Sequence, residues 1–140
     1  MNYYQSYKPR KKYGNIVQEY KGRRFDSRKE ASKAFELDMM VKAGQIKGWD
    51  AQKKIPINAY YKDGEPILTC KEGIELKEAG LEWIHITNYY IDFVVYHNDG
   101  SIEYLEIKSP ITKTDVWRLK WILSQAVHAN HPTIFFNVEC

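Results

Sequence analysis

A chain of 140 residues, 44% hydrophobic and 28% charged, has the make-up of one soluble globular domain and is too short for two full cores. It has no apolar run of about 18 residues, which excludes a membrane-spanning helix. The opening MNYYQSYKPRKKYG lacks the apolar centre of a secretory signal, so a cytoplasmic, intracellular location is expected. The two cysteines, Cys70 and Cys140, form no CxxC or Cys/His motif, so neither a disulfide framework nor a structural zinc site is expected.

The net charge of +3 is unevenly spread. Lys8, Arg10, Lys11, Lys12, Lys21, Arg23 and Arg24 stand against one acid, Glu19, in residues 1–24, so the rest of the chain is net acidic. Tyr3, Tyr4, Tyr7, Tyr13 and Tyr20 interleave with these cations. Such a basic, aromatic arm reads either as a segment that tracks phosphates or as a solvated tail.

From residue 25 onward a single domain is expected. Ser27-Arg28-Lys29-Glu30 reads as a capping box, opening a helix from about Arg28 to Lys42 with Ala34, Leu37 and Val41 as its apolar stripe. Ala31 and Phe35 flank that stripe, and Gly44 suits the left-handed residue that ends a helix. Residues 45–60 read as a turn and a strand. Residues 61–85, opened by the turn signal Lys62-Asp63-Gly64, read as an insertion, either a hairpin or a short helix, outside the core.

Tyr89 to Tyr96 is rich in aromatic and β-branched residues and predicts a strand. A turn at His97-Asn98-Asp99-Gly100 leads to a second strand, Ser101 to Lys108, which Ser109-Pro110 ends. A helix from about Thr114 to Ala129 follows, with Val116, Leu119, Leu123 and Val127 on one face. Asn130-His131-Pro132 stops it before a strand over Thr133 to Val138. The expected fold is therefore α/β (α+β): a central mixed sheet flanked by two helices, in the order α-β-β-β-α-β.

The hairpin carries the chemistry. Asn98-Asp99-Gly100 fits a three-residue loop with Gly in the left-handed position, which pairs His97 with Ser101. Counting outward, Asp92 falls opposite Glu106, and Lys108 shares the face of Glu106. Ile107 points the other way, into the core. Two opposed carboxylates repel, so a positive group must lie between them. Lys108 is one candidate. A divalent cation is the other, and two carboxylates on an otherwise hydrated ion suit Mg²⁺. Glu30 heads the stripe of Ala34, Leu37 and Val41 and so turns toward the sheet, although it also suits the N3 position of the capping box.

The ordered set of helix Glu, strand Asp, hairpin, E-x-K and helix resembles the PD-(D/E)xK nuclease superfamily, the restriction-endonuclease-like fold. KYGN at 12–15, FDSRKEA at 25–31, YYIDFVV at 89–95 and YLEIKS at 104–109 carry the likeness. Within that superfamily the layout is similar to phage and archaeal-type Holliday junction resolvases and to related small phage proteins. Ile91 stands where the motif often has proline. The resemblance implies a Mg²⁺-dependent endodeoxyribonuclease, with Mn²⁺ as an alternative ion, acting on branched DNA as a homodimer. It implies that Asp92, Glu106 and the Ile107 backbone carbonyl hold the metal, that Glu30 completes the shell directly or through water, and that Lys108 orients the attacking water and stabilises charge on the phosphate.

DNA contact is expected from Lys8, Arg10, Lys11, Lys12, Arg23, Arg24 and Lys120. Gln52 is a further candidate for the site. Trp117 and Trp121 read as a second packing face or dimer contact, and His85, His97, His128 and His131 read as incidental. Two rival readings are a DNA-binding protein without catalysis on the same fold, and a nuclease subunit of a transposition or restriction assembly.

Overall fold

The computed structural model describes residues 18–25, 27–108 and 113–139. A small hairpin of β1 (Gln18–Tyr20) and β2 (Arg23–Phe25) precedes helix α1 (Arg28–Lys42). Then come β3 (Ile46–Lys62), β4 (Glu65–Thr69), helix α2 (Gly73–Glu78), β5 (Trp83–His97), β6 (Ile102–Ile107), helix α3 (Asp115–Val127) and β7 (Ile134–Glu139). Five strands form one sheet in the order β4-β3-β5-β6-β7. β6 and β7 run parallel and the other neighbours antiparallel. The expected mixed sheet flanked by helices is present.

Helix α1 begins where the capping residues predict. The Glu30 N–H donates to Ser27 Oγ at 3.2 Å, satisfying one of the donors that a helix start leaves open. Its stripe buries Ala34 and Leu37, whereas Val41 reaches the surface in the last turn. Ala34 and Leu37 pack with Phe25, Ile46, Phe93, Val95, Leu105 and Ile107 in a core on one face of the sheet. The N-terminal hairpin docks on the same helix through Asp38. That carboxylate accepts from Tyr20 Oη at 2.6 Å and Trp49 Nε1 at 2.9 Å, and pairs with Lys21 Nζ at 2.9 Å. Tyr20, Lys21 and Phe25 therefore belong to the packed body, although Tyr20 and Lys21 read with the basic arm by sequence.

The opposite face holds a second core of Ile55, Ile57, Tyr89, Ile91, Val94, Tyr104 and Val127. Helix α3 covers it with only part of the face that its hydrophobic spacing predicts: Leu123 and Val127 pack there, and the first half of the predicted stripe does not. Val116 and Leu119 are exposed, as is Ile122, while Trp117, Trp121 and Ser124 turn inward. Trp117 and Trp121 stack at 5.6 Å, and Trp121 meets Phe136 edge-on at 5.2 Å. Two indoles offer more apolar area than a valine and a leucine, so the helix rotates to bury them. The Trp pair thus serves this chain's own core.

Residues 61–85 are not an appendage. β4 is an edge strand of the main sheet, and Trp83 and Ile84 already pair with β3. β5 is accordingly longer than the predicted strand. Asn58, 1% exposed, donates from Nδ2 to the Lys71 carbonyl at 2.7 Å and accepts at Oδ1 from His85 Nδ1 at 2.7 Å, tying the segment to β3. At Gly73 any Cβ would run into the Trp83 indole, which explains the glycine there.

Candidate functional site

The hairpin register follows the three-residue loop. His97 N–H donates to the Ser101 carbonyl at 3.0 Å, Gly100 takes φ +88°, and Phe93 pairs with Leu105. One step further the ladder stops. β6 stays with β7 through Glu106 and Ile107, while β5 stays with β3. The two strands part, and the carboxylates fill the fork. Asp92 N–H donates to Glu106 Oε1 at 3.3 Å, and Ile107 N–H donates to Asp92 Oδ2 at 2.9 Å. Each acid thus accepts from a backbone N–H of the opposite strand.

Asp92 also marks a change of face. Tyr89 and Ile91 belong to the core under α3, whereas Phe93 and Val95 belong to the core under α1. The break lies beside Gln52 on β3, between the pairs Ala51–Phe93 and Lys53–Ile91. Gln52 has φ +56°, a conformation that costs a non-glycine residue free energy. It lies across from Asp92, as a residue of the site would.

The electrostatics are those of an acid pair taken out of water. Glu106 is 1% exposed and Asp92 8%. Burial pushes the Glu106 carboxyl up to about 9, with the Asp92 charge and their hydrogen bond adding to it. Tyr89 and Lys108 pull the other way. Lys108 Nζ lies 3.9 Å from Glu106 Oε2 and 5.7 Å above the Trp117 ring. Tyr89 hydrogen-bonds Glu106, and its hydroxyl accepts from Trp117 Nε1 at 2.8 Å. Neither Tyr89 nor Trp117 was singled out as part of the site by sequence. The only available signal was that Tyr89 lies three residues before Asp92, and that does not show where its hydroxyl goes.

Glu30 is 6% exposed at the start of α1. Ala34 and Leu37, further along that helix, pack with Ile107 and Phe93, the neighbours of the two acids. Lys33 Nζ reaches Glu139 Oε1 at 3.1 Å, and Glu139 pairs with Ile107. The first turns of α1 therefore lie at the Ile107 end of β6, on the other face of the sheet from α3. Lys120, half-buried on α3, reaches the Asn88 carbonyl at 3.5 Å. Lys8, Arg10, Lys11 and Lys12 lie outside the described residues. Arg24 is half-buried on β2, where the backbone of Arg23 also lies. Ser109, Pro110 and the KYGN segment are outside the described residues as well.

Two of the histidines have polar side-chain partners. His85 anchors Asn58, and His97 Nε2 lies 2.8 Å from Glu103 Oε1. A cluster of potential ligand atoms lies away from the carboxylates. Cys70, His128 and His131 offer donor atoms all within 4.8 Å of one another. They come from the end of β4 and from the turn after α3, so no contiguous motif announces them. The His-x2-His spacing at a helix end was the available clue.

No helix among the described residues is long and apolar enough to cross a membrane. No curated protein and no solved structure matches the chain. A family of proteins of unknown function, DUF1064, matches residues 10–131, most of the chain, and the protein belongs to that family.

Proposed function

We propose that the protein is a metal-dependent endonuclease that hydrolyses DNA phosphodiester bonds, with branched DNA as its substrate class. The observation that carries this reading is the buried Asp92–Glu106 pair in the fork between β5 and β6, with Lys108 Nζ 3.9 Å from Glu106. An acid pair this dry needs either a shared proton or a cation, and Lys108 supplies only part of that charge.

Mg²⁺, or Mn²⁺ in its place, fits this donor set. Asp92, Glu106 and the Ile107 backbone carbonyl would hold it, with Glu30 completing the shell directly or through water. When bound, such an ion supplies Lewis acidity toward the phosphoryl oxygens and the attacking water. The chain does the rest. Ile107 N–H fixes Asp92, and Asp92 N–H fixes Glu106, so both carboxylates are set before substrate arrives. Tyr89 and Trp117 hold Glu106 from the α3 side. Lys108 orients the water and meets the negative charge that builds on the phosphate. Gln52, at its strained position, lies across from Asp92 in the β3–β5 register.

Lys120 and Arg24, with the cations of the N-terminal arm, would follow the DNA backbone. Paired nicks in a junction call for two copies of the site. The exposed Val116, Leu119 and Ile122 of α3 are the apolar surface that favours a homodimer.

The test is cleavage with Mg²⁺ of a labelled four-way junction, set against linear duplex and single strand of the same sequence. Expected are paired nicks near the branch point, abolished by EDTA and by Lys108→Ala. Equal cutting of all three substrates would remove junction selectivity. Tight DNA binding with no cleavage would favour a non-catalytic binding protein. Cleavage that appears only with a partner protein would mark a subunit of a larger assembly.

A further inference from the structure

We infer that Cys70, His128 and His131 form a second, separate metal site that takes Zn²⁺. It joins the end of β4 to the turn after α3. The site does not depend on the nuclease reading, because it uses none of the residues of the β5–β6 fork.

Three observations converge. First, the donor atoms are already gathered, all within 4.8 Å of one another. A tetrahedral zinc ion with sulfur and nitrogen ligands separates its donors by about 3.4–3.6 Å, so closure asks only about 1 Å of side-chain movement. Second, a backbone contact sets the tautomer of His128. Its Nδ1 lies 2.7 Å from the Ser124 carbonyl, and a carbonyl can only accept, so Nδ1 carries the proton. The lone pair of the neutral ring is then on Nε2. Metal-binding histidines are commonly held this way, with the far ring nitrogen donating to a backbone carbonyl. Tyr104 and Phe136 pack edge-on against the His128 ring at 5.2 and 5.7 Å and fix its plane.

Third, the donor chemistry is selective. One thiolate and two imidazoles suit Zn²⁺ and repay little to Mg²⁺, whereas the carboxylates of the fork have the reverse preference. Cys70 is a free thiol, half-buried, with Glu75, Lys53 and Lys71 as its charged neighbours. On binding, the Zn–S bond forms as the thiol proton leaves to solvent, and both histidines coordinate as neutral rings. The fourth position is open to water beside the exposed His131. The ion would clamp the edge strand of the sheet to the end of α3, two elements that otherwise touch lightly.

The experiment is zinc titration of the metal-free full-length protein, with zinc content after gel filtration and the melting temperature as readouts. Cobalt substitution adds a thiolate-to-metal charge-transfer band. Expected are one zinc per chain, a raised melting temperature and a cobalt–thiolate band. Cys70→Ser should remove all three and weaken zinc at least about 100-fold, more than loss of an outer-shell partner costs. His131→Ala, on an exposed residue, should do the same and carries the test if Cys70→Ser fails to fold. Cys140→Ser and Glu106→Gln should keep the zinc. Absence of stoichiometric zinc would overturn the assignment. So would zinc retained in Cys70→Ser or His131→Ala, and so would zinc lost only in Glu106→Gln, which would place the ion at the carboxylates.

Discussion

The β5–β6 hairpin has two unlike ends. Near the turn, Tyr96–Ile102, Val95–Glu103, Val94–Tyr104 and Phe93–Leu105 pair in regular register, and the side chains between them fill two apolar cores. At Asp92 and Glu106 the ladder is gone. There the carboxylates accept from the Asp92 and Ile107 N–H groups, and burial with the Asp92 charge beside it pushes Glu106 up to about 9. The closed end supplies stability and the open end gives some of it up. Adjacent residues of one hairpin therefore have different mutational signatures, stability at Phe93 and charge at Glu106.

The sharpest way to separate the two ends is to cut into the closed one. Phe93 is fully buried between Phe25, stacked at 5.8 Å, and Trp49, edge-on at 5.7 Å. Phe93→Ala should cost about 3–5 kcal/mol, since a cavity in the middle of a packed core cannot collapse. Urea unfolding would show it as a lower midpoint at unchanged slope. A loss under about 1 kcal/mol would mean that the two ends do not divide the work in this way.

The open end should respond to pH instead. The folded state raises the Glu106 pKa from 4.5 to about 9, so folded protein binds more protons than unfolded protein across that window. Its contribution is fully present below about pH 4.5 and is lost as pH rises toward 9. Metal-free protein should therefore melt at a lower temperature at pH 8 than at pH 5.5. Glu106→Gln should flatten that slope and raise the melting temperature at pH 8 by at least about 4 °C, the shift that about 1 kcal/mol gives a domain of this size. Mg²⁺ should lift the wild type at pH 8 and leave Glu106→Gln unmoved. A wild type with no such slope would show that the pair is better solvated than its burial implies.

The closed end was legible in the sequence and the open end only partly so. A strong turn, Asn98-Asp99-Gly100, fixed the register, and register placed Asp92 by Glu106. Ser27 likewise marked the start of α1. The pattern did not foresee the splitting of β5 from β6, because that depends on where β7 and β3 pull their partners. For α3 it found Leu123 and Val127, which pack in the core, but not the first half of the buried face, where Val116 and Leu119 match helical spacing as well as Trp117 and Trp121 do. Choosing between those faces takes the area of the indoles and an acceptor for Trp117 Nε1, which Tyr89 provides. The Cys70–His128–His131 cluster is a tertiary arrangement with no local trace beyond two histidines three residues apart.

The smallest expected effect is also the most specific. The Tyr89 hydroxyl links the two regions, accepting from Trp117 in the α3-side core and hydrogen-bonding Glu106 in the fork. Tyr89→Phe keeps the ring and removes that link, at a cost of about 1–2 kcal/mol, because the Trp117 N–H loses its acceptor. If packing were the whole story, the cost would be the same at any pH and in any background. Tyr89 lowers the Glu106 pKa, so its removal should raise that pKa further and push the loss of stability to higher pH. A double-mutant cycle isolates this part. In a Glu106→Gln background the pH-dependent component of Tyr89→Phe should vanish while the Trp117 component remains. Equal penalties in both backgrounds, at pH 5.5 and at pH 8, would show that the hydroxyl serves the core alone and that the two ends of the hairpin are energetically independent.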